Sequence, residues 1–174
     1  MTMSRRRLIS LAPAWGLACA APVLTACSPQ AASPVPDLPF TQLDGSTHRL
    51  ADLRGRVTLV NFWATSCTTC VKEMPQLVDT HRAFAAQGLE LLAVAMSYDP
   101  PAYVMQFAQS RQLPFRVAID HDGKIAQGFG DVQLTPTTFV IDRRGRIVKR
   151  YVGEPDFVAL RALIGELLAQ PAAA

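Results

Sequence analysis

Cys67 and Cys70 are separated by Thr68 and Thr69, where a strand-like run gives way to a helix-like one. Two thiols at that spacing, one at a helix start and one a turn later, can close a disulfide without moving the backbone far. The positive end of the helix favours the Cys67 thiolate, lowering its pKa below the ~8.5 of a free thiol. That makes Cys67 both a nucleophile and a leaving group. In this reading Cys67 attacks a disulfide in another molecule, and Cys70 resolves the mixed disulfide. Other uses of the motif fit less well. A zinc site needs four ligands, usually including a second pair, and His81 lies three turns away along the same helix. Covalent haem attachment needs His directly after the second cysteine, where Val71 stands. A purely structural bridge closes so small a loop that it constrains little. Redox chemistry is the best reading, and no cofactor or metal is expected.

The elements that position this pair alternate between strand and helix. Phe40–Leu43 and Thr47–Leu50 flank Asp44-Gly45 as a hairpin. Val57–Trp63 is a continuous apolar run of strand length, as in a buried central strand. A helix is expected from Thr68 towards Ala86, ending at Gly88, with Pro75 kinking it. Further strands are expected over Leu89–Met96, Phe115–Ile119, Thr137–Ile141 and Arg146–Tyr151. Asp99-Pro100-Pro101 opens a helix running to about Gln112, Lys124–Phe129 forms a short one, and Asp156 caps a last one. In that last helix Phe157, Leu160, Leu163, Ile164 and Leu167 point inward. The pattern implies one α/β domain with a mixed sheet flanked by helices.

The chain has 174 residues, 49% hydrophobic and 18% charged, enough apolar content for one real core and too much for a disordered chain. Arg5, Arg6 and Arg7 supply three of the 17 basic residues, and no acidic residue precedes Asp37. Without them 14 basic residues face 14 acidic ones, so nothing points to nucleic acid as a partner.

The N-terminus reads as an export signal over 1–26, with Arg5–Arg7 followed by the apolar stretch Leu8–Ala26. Leu24-Thr25-Ala26-Cys27 resembles a bacterial lipobox, which would make Cys27 a lipidated N-terminus. A soluble cleavage site at Ala18-Cys19-Ala20 and an uncleaved anchor are the alternatives. Ser4-Arg5-Arg6-Arg7-Leu8-Ile9 also resembles a twin-arginine signal, and an ordinary export signal is equally open. Residues 27–37 form a Pro/Ala/Ser tether, expected to be an extended spacer. The folded domain is expected over 38–170, with a flexible tail at 171–174.

Val60–Pro75, containing the cysteine pair, resembles the active-site strand and helix of the thioredoxin superfamily, and most closely its extracytoplasmic TlpA/ResA-like branch of tethered thiol-disulfide reductases. Leu134–Asp142 resembles the same family's cis-proline segment. The resemblance spans about Leu38 to Leu168 and implies a thioredoxin-like fold with an N-terminal hairpin and an inserted strand–helix element. It implies that Pro136 is cis, that Thr135 presents its backbone to the substrate, and that Ser66 stands where the family usually has Trp. Asn61 occupies the position of the buried acid of cytoplasmic thioredoxins and cannot accept a proton as that acid does. Glu73 is the expected replacement, the alternative being an exposed helix residue. Leu134 stands where relatives often have Gly.

The resemblance implies a monomeric, lipid-anchored oxidoreductase on the periplasmic face of a bacterial membrane. Its partners would be protein disulfides and a membrane thiol electron donor, in a setting such as cytochrome c maturation or copper-site assembly. The Thr68-Thr69 dipeptide leaves the potential open between about −270 and −120 mV. A copper chaperone of the same fold usually has three residues between its cysteines, and a peroxidase needs Thr or Ser where Ala64 stands. His48, His81 and His121 show no ligand spacing, and Met74, Met96 and Met105 read as packing residues.

Overall fold

The computed structural model describes residues 33–171. Its strands are β1 (Ser33–Pro34), β2 (Pro39–Thr41), β3 (Thr47–Arg49), β4 (Val57–Trp63), β5 (Leu89–Ala95), β6 (Arg116–Ile119), β7 (Thr137–Ile141) and β8 (Arg146–Val152). Its α-helices are α1 (Thr68–Phe84), α2 (Pro101–Ser110), α3 (Lys124–Gly128) and α4 (Phe157–Ala169). Six strands form one mixed sheet in the order β1-β8-β7-β4-β5-β6, and β2 pairs only with β3. β4 runs parallel to β5 and antiparallel to β7. Among the described residues no helix is long and apolar enough to cross a membrane.

β4 occupies the middle because every one of its seven residues is apolar or able to bury its polar atoms, and all seven are buried. Its two faces feed two cores. Leu59 and Trp63 pack with Leu77 of α1, Val104 of α2 and Leu160 and Ile164 of α4. Val60 and Phe62 pack on the opposite face with Leu50, Ile125 and Phe129. Phe62 meets the rings of Phe129 and Phe139 edge-on, at centroid separations of 5.4 and 5.9 Å.

α1 begins at Thr68 as expected and includes Pro75. It ends at Phe84, where a turn of 3₁₀ helix over Ala85–Gln87 carries the chain to Gly88. Gly88 takes φ +103°, a left-handed conformation that other residues adopt at a cost, and this stops the helix before β5. Asp156 caps α4 by accepting from the N–H groups of Val158 and Ala159. Leu160, Ile164 and Leu167 are buried as expected, whereas Phe157 and Leu163 are half-buried at the margin.

Two expectations need correction. The last part of the supposed spacer is folded against the domain. Ser33 pairs with Ile147 and Pro34 with Arg146, the Val35 N–H donates to the Gly145 carbonyl at 2.8 Å, and Val35 is buried. Pro36 and Leu38 lie over Gly128, where a Cβ would collide with Leu38 Cδ1. Proline is tolerated at a sheet edge, so its presence did not forbid this strand. Met105 is not a packing residue either: it is 42% exposed, on the outer side of α2. Met74 and Met96 are buried.

Candidate active site

The site lies at the edge of the sheet where β4, β5 and β6 end and β7 begins. Cys67 is the N-cap of α1, and its Sγ accepts from the Cys70 backbone N–H at 3.2 Å. One of the unpaired donors of the helix start is thereby aimed at the Cys67 sulfur, a placement that favours negative charge there. Cys67 and Cys70 form a disulfide with Cα atoms 5.2 Å apart. The two sulfurs differ in access. Cys67 is half-buried, while Cys70 is 0% exposed and packs in the core beside Met74.

Thr135 and Pro136 come to this pair from 68 residues away in sequence. The Thr135–Pro136 bond is cis. The Thr135 carbonyl lies 3.6 Å from Cys67 Sγ. The loop is held from both sides: Thr137 Oγ1 donates to the Leu134 carbonyl at 2.7 Å, and the Gly153 N–H to the Pro136 carbonyl at 2.8 Å. Ser66 is exposed beside Cys67, and Leu134 is 64% exposed.

Glu73 is 0% exposed, so it is not a surface residue of α1. It follows Cys70 by three positions, which places both side chains on one face of the helix. Asn61 Nδ2 donates to Glu73 Oε1 at 3.0 Å and to Thr138 Oγ1 at 2.9 Å, joining α1, β4 and β7. Glu73 Oε2 and Asn61 Oδ1 have no partner among the described residues. Burial raises the Glu73 pKa to about 7, the Asn61 hydrogen bond opposes this, and the charge of Glu154 adds to it. A carboxyl group poised there can take up or return a proton near neutral pH.

Two residues beside the site carried no signal in the sequence. Asp99, read as a helix opener, does not cap α2, whose N-cap is Pro100. It is buried instead, and its carboxylate accepts from the Thr65 N–H at 2.6 Å and from Thr65 Oγ1 at 2.5 Å. This clamps the chain two residues before Cys67. Tyr98 is 59% exposed, with its hydroxyl 3.5 Å from Thr135 Oγ1. Partners 34 and 37 residues away are set by tertiary structure, and no local pattern announces them.

The histidines stay apart from the site. His48 stacks on Phe40, and His81 meets Phe115 edge-on, its pKa lowered by burial. His121 is exposed in a turn. Among the described residues no group of His, Cys, Asp or Glu is arranged to hold a metal ion. Cys27 lies outside the described residues.

The redoxin family model matches residues 30–163. The thiol-disulfide oxidoreductase ResA of Geobacillus thermodenitrificans is 37% identical over 121 residues, covering 70% of this chain and 68% of that protein. A candidate thioredoxin from Neisseria meningitidis has a similar structure, with TM-score 0.72 and 41% identity, over 78% of this chain and 90% of that one. A candidate thiol:disulfide interchange protein DsbE from Chlorobium tepidum is similar at TM-score 0.71 and 29% identity, over 79% of this chain and 97% of that one. With the sulfur pair at the helix start, the cis-proline loop against it and these likenesses together, the chain belongs to the redoxin family and is a thiol-disulfide oxidoreductase of its ResA-like, thioredoxin-fold branch.

Proposed function

We propose that this oxidoreductase is a reductant of disulfides in other extracytoplasmic proteins, anchored by lipid on Cys27 to the periplasmic face of a bacterial membrane and acting as a monomer. The observation that carries the exchange chemistry of this reading is the inequality of the two sulfurs: an accessible Cys67 at a helix N-terminus, and a buried Cys70 with a buried carboxyl one turn behind it; the direction is what the potential tests.

The Cys67 thiolate attacks one sulfur of a substrate disulfide. A bond forms between Cys67 and that sulfur, and the other substrate sulfur leaves as a thiolate. Thr135 and Pro136 hold the substrate chain beside Cys67, with Ser66 bordering the approach. Cys70 then gives its proton to the Glu73 carboxylate and attacks Cys67 Sγ, releasing the second substrate thiolate. Two electrons have passed to the substrate, and Cys67–Cys70 is a disulfide. A membrane thiol carrier returns the pair to its reduced form. Cytochrome c maturation and copper-site assembly are the settings to which the family likeness leads.

The test is the potential of the Cys67–Cys70 pair, measured by equilibrating the protein against glutathione and dithiothreitol buffers. A value near or below about −250 mV supports a reductant with a dedicated donor. A value near about −120 mV reverses the direction and makes the protein an oxidant.

A further inference from the structure

Tyr98 stands in a turn that is fixed at both ends. The Met96 N–H donates to the Trp63 carbonyl and the Asp99 N–H to the Met96 carbonyl, both at 3.0 Å. Met96 is buried, and the buried Asp99 holds Thr65, two residues before Cys67. Ser97 and Tyr98 are the middle residues of this turn, and both are exposed. An aromatic ring is thus presented to solvent on a base that ties the end of β5 to the segment leading into Cys67.

That side chain meets the loop that lies against the Cys67 sulfur. The Tyr98 hydroxyl is 3.5 Å from Thr135 Oγ1, and the Thr135 carbonyl is 3.6 Å from Cys67 Sγ. Leu134, the neighbour of Thr135, is exposed as well, and its carbonyl is held by Thr137 Oγ1. Two large apolar side chains therefore adjoin Thr135, whereas Ser66, beside Cys67, is small and exposed. The other exposed large apolar side chains among the described residues lie on α2, on α4 and at the end of β8. The charged side chains on the segments around Tyr98 and Leu134 have partners of their own. Asp99 holds Thr65, Lys72 pairs with Glu154 at 3.5 Å, and Asp131 accepts from Gln133 Nε2 at 2.8 Å.

We infer that Tyr98 and Leu134 form an apolar wall of the substrate site, which selects disulfides whose cysteine is flanked by a leucine-like or phenylalanine-like side chain. The inference rests on the exchange chemistry proposed above, in which Cys67 attacks a disulfide beside Thr135, and not on its direction or on the tether. A tyrosine on a fixed turn offers a large contact area with little ordering left to lose on binding. Because the wall is open to solvent, a leucine side chain laid on it is about half removed from water, which favours it over glycine by about tenfold.

The reduced full chain is mixed with peptides of the form serine–X–cysteine–X–serine, joined in pairs through their cysteines, with X as glycine, leucine, phenylalanine, aspartate or lysine. Cys67 attacks one peptide sulfur, the other peptide leaves as a thiol, and Cys70 releases the first. Each turnover thus yields two peptide thiols and one Cys67–Cys70 disulfide. Second-order rates are read by acid quench and mass spectrometry, and each is divided by the rate at which dithiothreitol reduces the same peptide. The expected result is that the leucine and phenylalanine peptides react about tenfold faster than the glycine peptide. Tyr98→Ala with Leu134→Ala brings that ratio close to one, whereas Tyr98→Phe, which keeps the ring, and Met105→Ala, on the outer side of α2, preserve it. Both wall residues are exposed, so removing them leaves the fold standing. Equal normalised rates for all peptides, a preference for the aspartate or lysine peptide, or a leucine preference that survives the loss of both side chains overturns the wall and leaves the exchange reading standing. Failure of every peptide to react, with both protein thiols confirmed free, overturns the exchange reading and the inference together.

Discussion

Replacing Glu73 by glutamine separates the energetic cost of this carboxyl from its chemical use. Burial raises its pKa from 4.5 to about 7, so the folded state holds the proton more tightly than the unfolded chain does. Below about pH 4.5 both states are protonated, and the group costs nothing by ionising. Between 4.5 and about 7 the unfolded chain loses the proton while the folded one keeps it, so stability falls as pH rises. Above about 7 the loss is complete. At about 1.4 kcal/mol per pH unit the interval amounts to about 3 kcal/mol. Glutamine keeps an oxygen for Asn61 Nδ2 and cannot ionise. Urea denaturation of the oxidised protein at pH 4.5, 6, 7 and 8 therefore gives a Glu73→Gln variant whose stability relative to the parent rises across the series by about 3 kcal/mol. The same variant slows resolution of the mixed disulfide by about 100-fold or more above pH 7, the scale of a lost proton acceptor. It also removes an inflection near pH 7 from that step. A stability difference that does not change with pH would refute the reasoning, because it would mean that the folded and unfolded carboxyls titrate alike.

Asp99→Ala orphans the Thr65 N–H and costs about 1–3 kcal/mol, whereas Asp99→Asn keeps an acceptor and costs less; urea midpoints of the two variants check this. Phe62→Ala empties the centre of the Phe62–Phe129–Phe139 cluster and lowers stability by about 3–5 kcal/mol in the same assay, with the potential of the disulfide pair unchanged.

The legibility of this molecule in its sequence follows the range of the interactions. Val57–Trp63 was readable residue for residue, because a central strand buried on both faces writes itself as an unbroken apolar run. The start of α1 at Thr68 and its stop before Gly88 were readable from the cysteine pair and a glycine that tolerates positive φ. Ser33–Pro34 was not, since a two-residue edge strand is defined by Arg146 and Ile147, more than a hundred residues on. The Pro/Ala/Ser composition there describes a spacer equally well.

At the site, the spacing of Cys67 and Cys70 stated its chemistry locally. Thr135, Pro136 and Glu73 were legible only through resemblance: helical phase alone does not say which face of α1 is roofed by Asn61 and Thr138. Asp99 shows the limit most plainly. An Asp before two prolines carries the composition of a helix start, and its use as the clamp on Thr65 depends on β4 and β5 ending side by side.

The central claim is that Cys67 attacks and Cys70 resolves. The most direct measurement is capture of the mixed disulfide by Cys70→Ser, with Cys67→Ser in parallel, using the reduced full chain and an oxidised protein substrate. Adducts are separated on non-reducing gels and mapped by mass spectrometry. The account predicts that Cys70→Ser accumulates a reducible adduct linked through Cys67, and that Cys67→Ser, left with a sulfur that is 0% exposed, forms none at the pair. An adduct through Cys70 in the Cys67→Ser protein, or no adduct through Cys67 when Cys70 is absent, would contradict it.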